Sequence, residues 1–173
     1  MQTIRFIRAE LRHAEQLVDL INSAYRGESS KLGWTTEADL LDGRRTDLNE
    51  IHGLLEDPAS MFMLCGHGAE LLGSVHLHRE ESAIHIGMLA VSPPSQRRGI
   101  GKQLLQVAEQ TASEVWSINR FKMSVIPHRQ ELIAFYERRG YHRTGISQPF
   151  PINPELWTPK VENLTLELLE KVL

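Results

Sequence analysis

Residues Ala83 to Val91 read Ala-Ile-His-Ile-Gly-Met-Leu-Ala-Val and would present apolar side chains on both sides of an extended chain. A strand of that kind needs cover on both faces, so it belongs inside a sheet that carries helices above and below. Pro93-Pro94 ends it. From Gly99 to Val115 the apolar residues change to helical spacing, with Ile100, Leu104, Val107 and Ala108 along one side and Thr111 beside them. No other segment limits the fold as tightly as this succession of strand, turn and helix.

The rest of the chain supplies more of both periods. A strand is predicted over Thr3 to Arg8, and a helix over His13 to Tyr25 with Leu17, Leu20, Ile21 and Ala24 as its stripe. Gly27 to Trp34 reads as a loop. Thr36 and Asp39 resemble a capping pair that opens a short helix ending at Gly43. Thr46 or Asp47 caps another, which carries Leu48, Ile51, Leu54 and Leu55 up to Pro58. Met61 to Cys65 is a short apolar strand. Leu71 to His78 alternates, with Leu71, Val75 and Leu77 on one face and Ser74, His76 and His78 on the other. Glu80-Glu81-Ser82 makes a tight turn into the central strand. Beyond the long helix come a strand over Phe121 to Ile126, a helix over Gln130 to Arg139 closed by Gly140, and strands at Tyr141 to Thr144 and Leu164 to Leu169. Interleaved strands, hairpins and helices predict an α+β domain, a three-layer α/β/α arrangement about a mixed sheet, with residues 1–173 as one unit.

Composition narrows the functions open to such a domain. The chain has 173 residues and a net charge of -3, without the basic excess of an electrostatic nucleic-acid binder. A single cysteine, Cys65, permits no internal disulfide and suits a reducing compartment. Near the N-terminus, charge is interleaved with apolar residues, unlike a signal peptide. No run approaches the ~20 apolar residues that span a bilayer. A soluble cytoplasmic protein, with neither nucleic-acid nor membrane partner, is expected.

Chemistry concentrates at Gln96-Arg97-Arg98-Gly99-Ile100-Gly101-Lys102. A helix starting there offers unpaired N–H groups and the positive end of its dipole. Glycine lets a bulky anion approach the backbone, and Arg97, Arg98 and Lys102 add charge. These are the parts of a pyrophosphate cradle. A nucleotide P-loop would need Ser or Thr after Lys102, where Gln stands. A dinucleotide fold would need a third glycine and an earlier position in the chain.

Val91-x-Pro93-x-x-Gln96-x-x-Gly99-x-Gly101 resembles the acyl-CoA signature of the GNAT superfamily of N-acetyltransferases. Leu132-Ile-Ala-Phe-Tyr136-Glu-Arg-Arg-Gly140-Tyr141, after the next strand, resembles its second signature. The order of elements is similar over essentially the whole chain. This resemblance implies a mixed, mostly antiparallel sheet flanked by helices on both faces. It also implies an enzyme that moves an acetyl group from acetyl-CoA, its acyl donor, to a small-molecule or peptide amine. A non-catalytic acyl-CoA-binding or sensing module is the alternative, and a homodimer is the one assembly left open.

Carried over residue by residue, the resemblance makes the backbone of Arg97, Arg98, Gly99, Ile100, Gly101 and Lys102 the pyrophosphate site. It gives Leu89, Ala90 and Val91 to the pantetheine arm, with the Leu89 N–H directed at the thioester carbonyl, where a donor stabilises the oxyanion. The family's central strand is bulged, and Gly87 is placed to permit it. Tyr136 matches the motif tyrosine, a candidate acid for the departing thiolate; a packed core tyrosine is the other reading. Arg129 replaces the asparagine that many relatives carry seven residues earlier. It reads either as a contact to a CoA phosphate or as a solvated side chain. His85 falls where several relatives place a general base. It reads equally as a half-buried structural histidine, and more remotely as a metal ligand with His76 and His78, for which no completing carboxylate or cysteine is spaced; no metal is expected. Cys65, in an apolar strand, reads as a small buried hydrophobe. The acceptor site is implied over Tyr25 to Arg45, with Trp34, Arg44 and Arg45, and over Ser147 to Trp157.

Overall fold

The computed structural model describes residues 3–173. Its elements, in chain order, are β1 (Arg5–Arg8), α1 (Ala14–Tyr25), a single helical turn α2 (Gly27–Ser30), β2 (Leu41–Gly43), α3 (Leu48–Glu56), β3 (Ser60–His67), β4 (Glu70–Arg79), β5 (Ile84–Val91), α4 (Ile100–Trp116), β6 (Arg120–Val125), α5 (Gln130–Glu137), β7 (His142–Pro149), β8 (Trp157–Pro159) and β9 (Thr165–Val172). Seven strands form the main sheet in the order β1-β3-β4-β5-β6-β9-β7. Every neighbouring pair is antiparallel except β5 with β6. β5, apolar toward both sides in the sequence, lies at the centre.

Two apolar layers explain this placement. On one face Ile100, Leu104, Leu105, Ala108 and Ala112 of α4 pack on Val75, Leu77, Ile84, Ile86, Phe121 and Met123, joined by Ile133 and Tyr136 of α5. On the other, Leu17, Leu20, Ile21 and Ala24 of α1 and Ile51 of α3 pack on Phe62, Leu64, Met88 and Ala90. Burying one such large side chain contributes about 1.5–3 kcal/mol, which makes the two stripes the main determinants of the layering. Asp47 is the cap of α3: its carboxylate accepts from the Glu50 N–H at 2.8 Å.

Some local expectations fail where tertiary contacts override propensity. Thr36 and Asp39 open no helix. One turn closes as the N–H groups of Leu40 and Leu41 donate to the Glu37 carbonyl, and the chain then extends as β2, paired antiparallel with β8. Gly43 explains the approach: its φ is +100°, and a Cβ there would lie 2.1 Å from the Leu156 carbonyl oxygen. The expected loop at Gly27 forms the turn α2. β7 runs on to Pro149, past Thr144, because an irregularity between Arg143 and Ser147 lets it stay paired with β9. β8 has no signature in the sequence beyond Trp157.

Candidate active site

The central strand is bulged. His76 lies opposite Gly87 and Ser74 opposite Ala90, so Val75 alone faces both Met88 and Leu89. The left-handed residue of the bulge is Met88, with φ +49°, and not Gly87. Such a conformation costs a non-glycine residue about 1–2 kcal/mol. Burial of the Met88 side chain beneath α1 holds it in place. β5 pairs with β6 only from Ile84 to Ile86. Past that point the two strands part, and the site forms around the opening.

On the α4 side lies a cleft of about 310 Å³ between the end of β5, the start of α4 and α5. Arg97 (φ +64°) and Gly99 (φ +75°) are both left-handed, and Gly99 is the N-cap of α4. No side chain caps this helix, so its first N–H groups and the positive end of its dipole are free for an anion. Leu89, Ala90, Val91, Gln96, Arg97, Gly99, Ile100, Gly101 and Lys102, all anticipated, line the cleft. Arg98 is exposed beside it and is not part of the lining. At Gly101 an added Cβ would sit 3.6 Å from Val91 Cγ2 and 3.7 Å from Phe135 Cζ, so a methyl fits and a longer side chain would cross the cleft. Gln96 braces the wall. Its amide donates to the Val91 carbonyl at 3.0 Å and accepts from the Trp34 N–H at 2.5 Å. Trp34 and Phe135, with ring centroids 5.7 Å apart, and the cations Arg138 and Arg139 also line the cleft; sequence reasoning did not single these out, apart from Trp34, which it placed with the acceptor.

A second cavity, of about 250 Å³, lies on the α1 side of the sheet. His85, Gly87 and Met88 contribute from β5, and Tyr25, Arg26, Glu37 and Arg45 from the N-terminal segments. Tyr136 joins them from α5, reached through the opening between β5 and β6, and Trp157 from β8. Tyr25, Leu89, Arg129 and Leu132 line both hollows, which adjoin along these four residues, Leu89 being the one on β5. Arg44, named with Arg45 in the sequence, is exposed instead.

Arg129 is not solvated, being 7% exposed and paired. Its guanidinium donates to Glu37 at 3.0 Å and to Thr35 at 3.2 Å. Glu37 also accepts from Arg26 at 2.8 Å. With all three side chains buried, this is an ion triad of two cations on one carboxylate. Burial lowers the pKa of Arg26, and Glu37 opposes that shift. Glu37 carried no signal in the sequence, since its partners are distant along the chain.

The titrating candidates fall on the second cavity. Burial raises the Tyr136 phenol above its ordinary value, so it stays protonated across neutral pH. Burial lowers the pKa of His85, opposed by Glu80, which leaves the imidazole neutral and able to accept a proton. His78 lies directly opposite His85, and His76 lies diagonal to it. His76 is lowered to about 3 by burial and by His78 and His85, and its Nε2 is engaged with Ser60 Oγ at 2.5 Å. Among the described residues no three His, Cys, Asp or Glu side chains converge as metal ligands would. Burial pushes the Cys65 thiol up to about 12, far from the thiolate that nucleophilic chemistry requires.

A bulged central strand, a basic helix start and a second hollow adjoining the first beside that strand make up the candidate site. The sequence model of the acetyltransferase (GNAT) family matches residues 15–141, and the chain belongs to that family. No curated protein matches the sequence. Ribosomal-protein-alanine N-acetyltransferase from Brucella melitensis is similar in structure, with TM-score 0.71 and 16% identity over 98% of this chain and 99% of that one. Spermidine N-acetyltransferase from Vibrio cholerae, solved with CoA and spermine, gives 0.70 and 14% over 98% and 95%. A GNAT family acetyltransferase from Elizabethkingia anophelis, solved with acetyl-CoA, gives 0.57 and 19% over 72% and 82%. No helix among the described residues is long and apolar enough to cross a membrane.

Proposed function

We propose that this protein transfers an acetyl group from acetyl-CoA to a primary amine of a small molecule, amino acid or peptide by direct attack of the amine. The observation that carries this reading is the meeting of the two hollows at Leu89, within the bulge of β5. A donor on one side of the sheet and an acceptor on the other would come together beside that strand residue.

The α4 side fits acetyl-CoA, which supplies an acyl thioester. The uncapped start of α4, with Gly99, Gly101, Arg97 and Lys102, suits a pyrophosphate, and the end of β5 offers backbone to an extended arm. The Leu89 N–H, in the bulge and past the last β5–β6 pair, is the proposed donor to negative charge developing on a thioester oxygen. Tyr136, buried and protonated, is the proposed acid for the leaving thiolate. His85, neutral and on the acceptor side, is the proposed base. An aliphatic ammonium has a pKa near about 10.4 and must lose a proton before it attacks. The solved enzymes named above, one for a protein alanine and one for spermidine, show two acceptor types on this scaffold. The test is release of free thiol from acetyl-CoA across a panel of amines, beside thermal stability with acetyl-CoA alone. Donor binding raises the melting temperature and an acceptor releases thiol. Stabilisation without release from any amine would leave only a binding module.

A further inference from the structure

We propose that the amine acceptor also carries a carboxylate, and that Arg45 receives it in the second cavity. This rests on the acetyl-transfer reading and adds the chemical class of its substrate.

Charge in the cavity is unbalanced. Arg26, Arg45 and Arg129 line it against one carboxylate, Glu37. Glu37 is already held by Arg26 and Arg129, which leaves the triad with a positive surplus before Arg45 is counted. Arg45 is half-buried, and its guanidinium has neither an ion pair nor a hydrogen bond among the described residues. Its carbon lies 5.6 Å from the centroid of the Tyr25 ring. The Arg129 guanidinium lies 5.5 Å from the centroid of the same ring. Arg129 is more than nine-tenths buried, yet its Nε has no hydrogen-bond partner. Two incompletely satisfied guanidinium groups thus flank one aromatic ring on the wall of one cavity. The planar guanidinium fork matches a carboxylate in shape and charge. The charge surplus and the unpartnered guanidinium donors suit an anion.

Cavity size limits how far apart the acceptor's two ends can lie. The reacting amine must reach Leu89, and the anion must reach Arg45, within about 250 Å³. Only a few bonds can separate them, as in an α-amino acid or a short ω-amino acid. A polyamine would instead bring further positive charge against three arginines.

The experiment measures kcat/KM by thiol release for matched acceptors: free L-amino acids, their amides, and the corresponding decarboxylated amines. Calorimetry of the same compounds in the presence of CoA supplies a readout that needs no turnover. The preferred amino acid is expected to exceed its amide by about 10- to 100-fold in kcat/KM, mostly through KM, as for loss of a charge-assisted hydrogen bond. Arg45→Gln is expected to collapse that ratio, and Arg45→Lys to restore part of it. Amides or decarboxylated amines that match or outperform the amino acids overturn the carboxylate while acetyl transfer stands. An unchanged ratio in Arg45→Gln overturns Arg45 as the recognising residue. No thiol release from any compound, with no heat from any amino acid, overturns both readings.

Discussion

The two hollows on either side of the sheet are built by opposite means. The α4-side cleft draws half of its lining from one contiguous stretch, Leu89 to Lys102, which offers mainly backbone: an uncapped helix start, two left-handed residues and an interrupted strand. The α1-side cavity gathers Tyr25, Glu37, Arg45, His85, Arg129 and Trp157 from six separate segments and offers side chains. Backbone recognition suits a donor whose phosphates and amides recur unchanged. Side-chain recognition suits an acceptor that differs from one enzyme to the next. Substitutions should therefore fall mainly on the acceptor side, and reach the donor side only where a new side chain fills space.

The largest effect should come from Glu37→Ala, which strands two buried guanidinium groups. A stability loss of about 3–5 kcal/mol is expected in urea unfolding. A loss under about 1 kcal/mol would mean that the wall of the cavity is not held by this triad. Tyr136→Phe should follow, with kcat lowered by ~10²-fold and acetyl-CoA affinity nearly unchanged. An unaffected rate would make Tyr136 a packing residue only. Gly101→Val should raise the Kd for acetyl-CoA by ~10-fold, a cost of the size expected for overpacking, and leave the acceptor KM alone. Gly101→Ala, whose methyl fits, should change little. If Gly101→Val alters the acceptor KM instead, the two hollows are not separable.

The smallest expected effect is a pH dependence of stability on the acceptor side. The pKa of His76 is about 3 in the folded protein, against about 6.5 when exposed. Its contribution is complete above the unfolded value and is lost as pH falls toward the folded one. Between pH 7.5 and pH 5.5 the loss should be about 1.4 kcal/mol. Equal urea midpoints at the two pH values would show that His76 is not held neutral by burial.

The same contrast decides how much could be read in advance. Strand, turn and helix from Ala83 to Val115 were legible because local periodicity and two closely spaced glycines specify them. The α4-side cleft came with them. Tyr25, Arg45 and Trp157 could be placed only within two broad stretches, and Glu37 carried no signal, because its meaning depends on Arg26 and Arg129 arriving from elsewhere. Arg129 left a trace only as a departure from the asparagine of its relatives. β2 and β8 escaped notice for a related reason: three residues each, they are strands only because they pair with one another.

The bulge at Met88 has a consequence for how this strand can change over generations. Up to Gly87 the odd-numbered residues face α1; from Met88 onward the even-numbered ones do, since Met88 and Ala90 pack beneath that helix. β5 is in effect two strands of opposite phase, spliced at a single residue. Deleting Leu89 would remove the splice and restore one phase throughout: Ala90 and Val91 would keep their faces, and Met88 alone would turn away from α1. Substitution can vary each half of β5 separately, whereas a single insertion or deletion away from the splice would put the residues on one side of it on the wrong face.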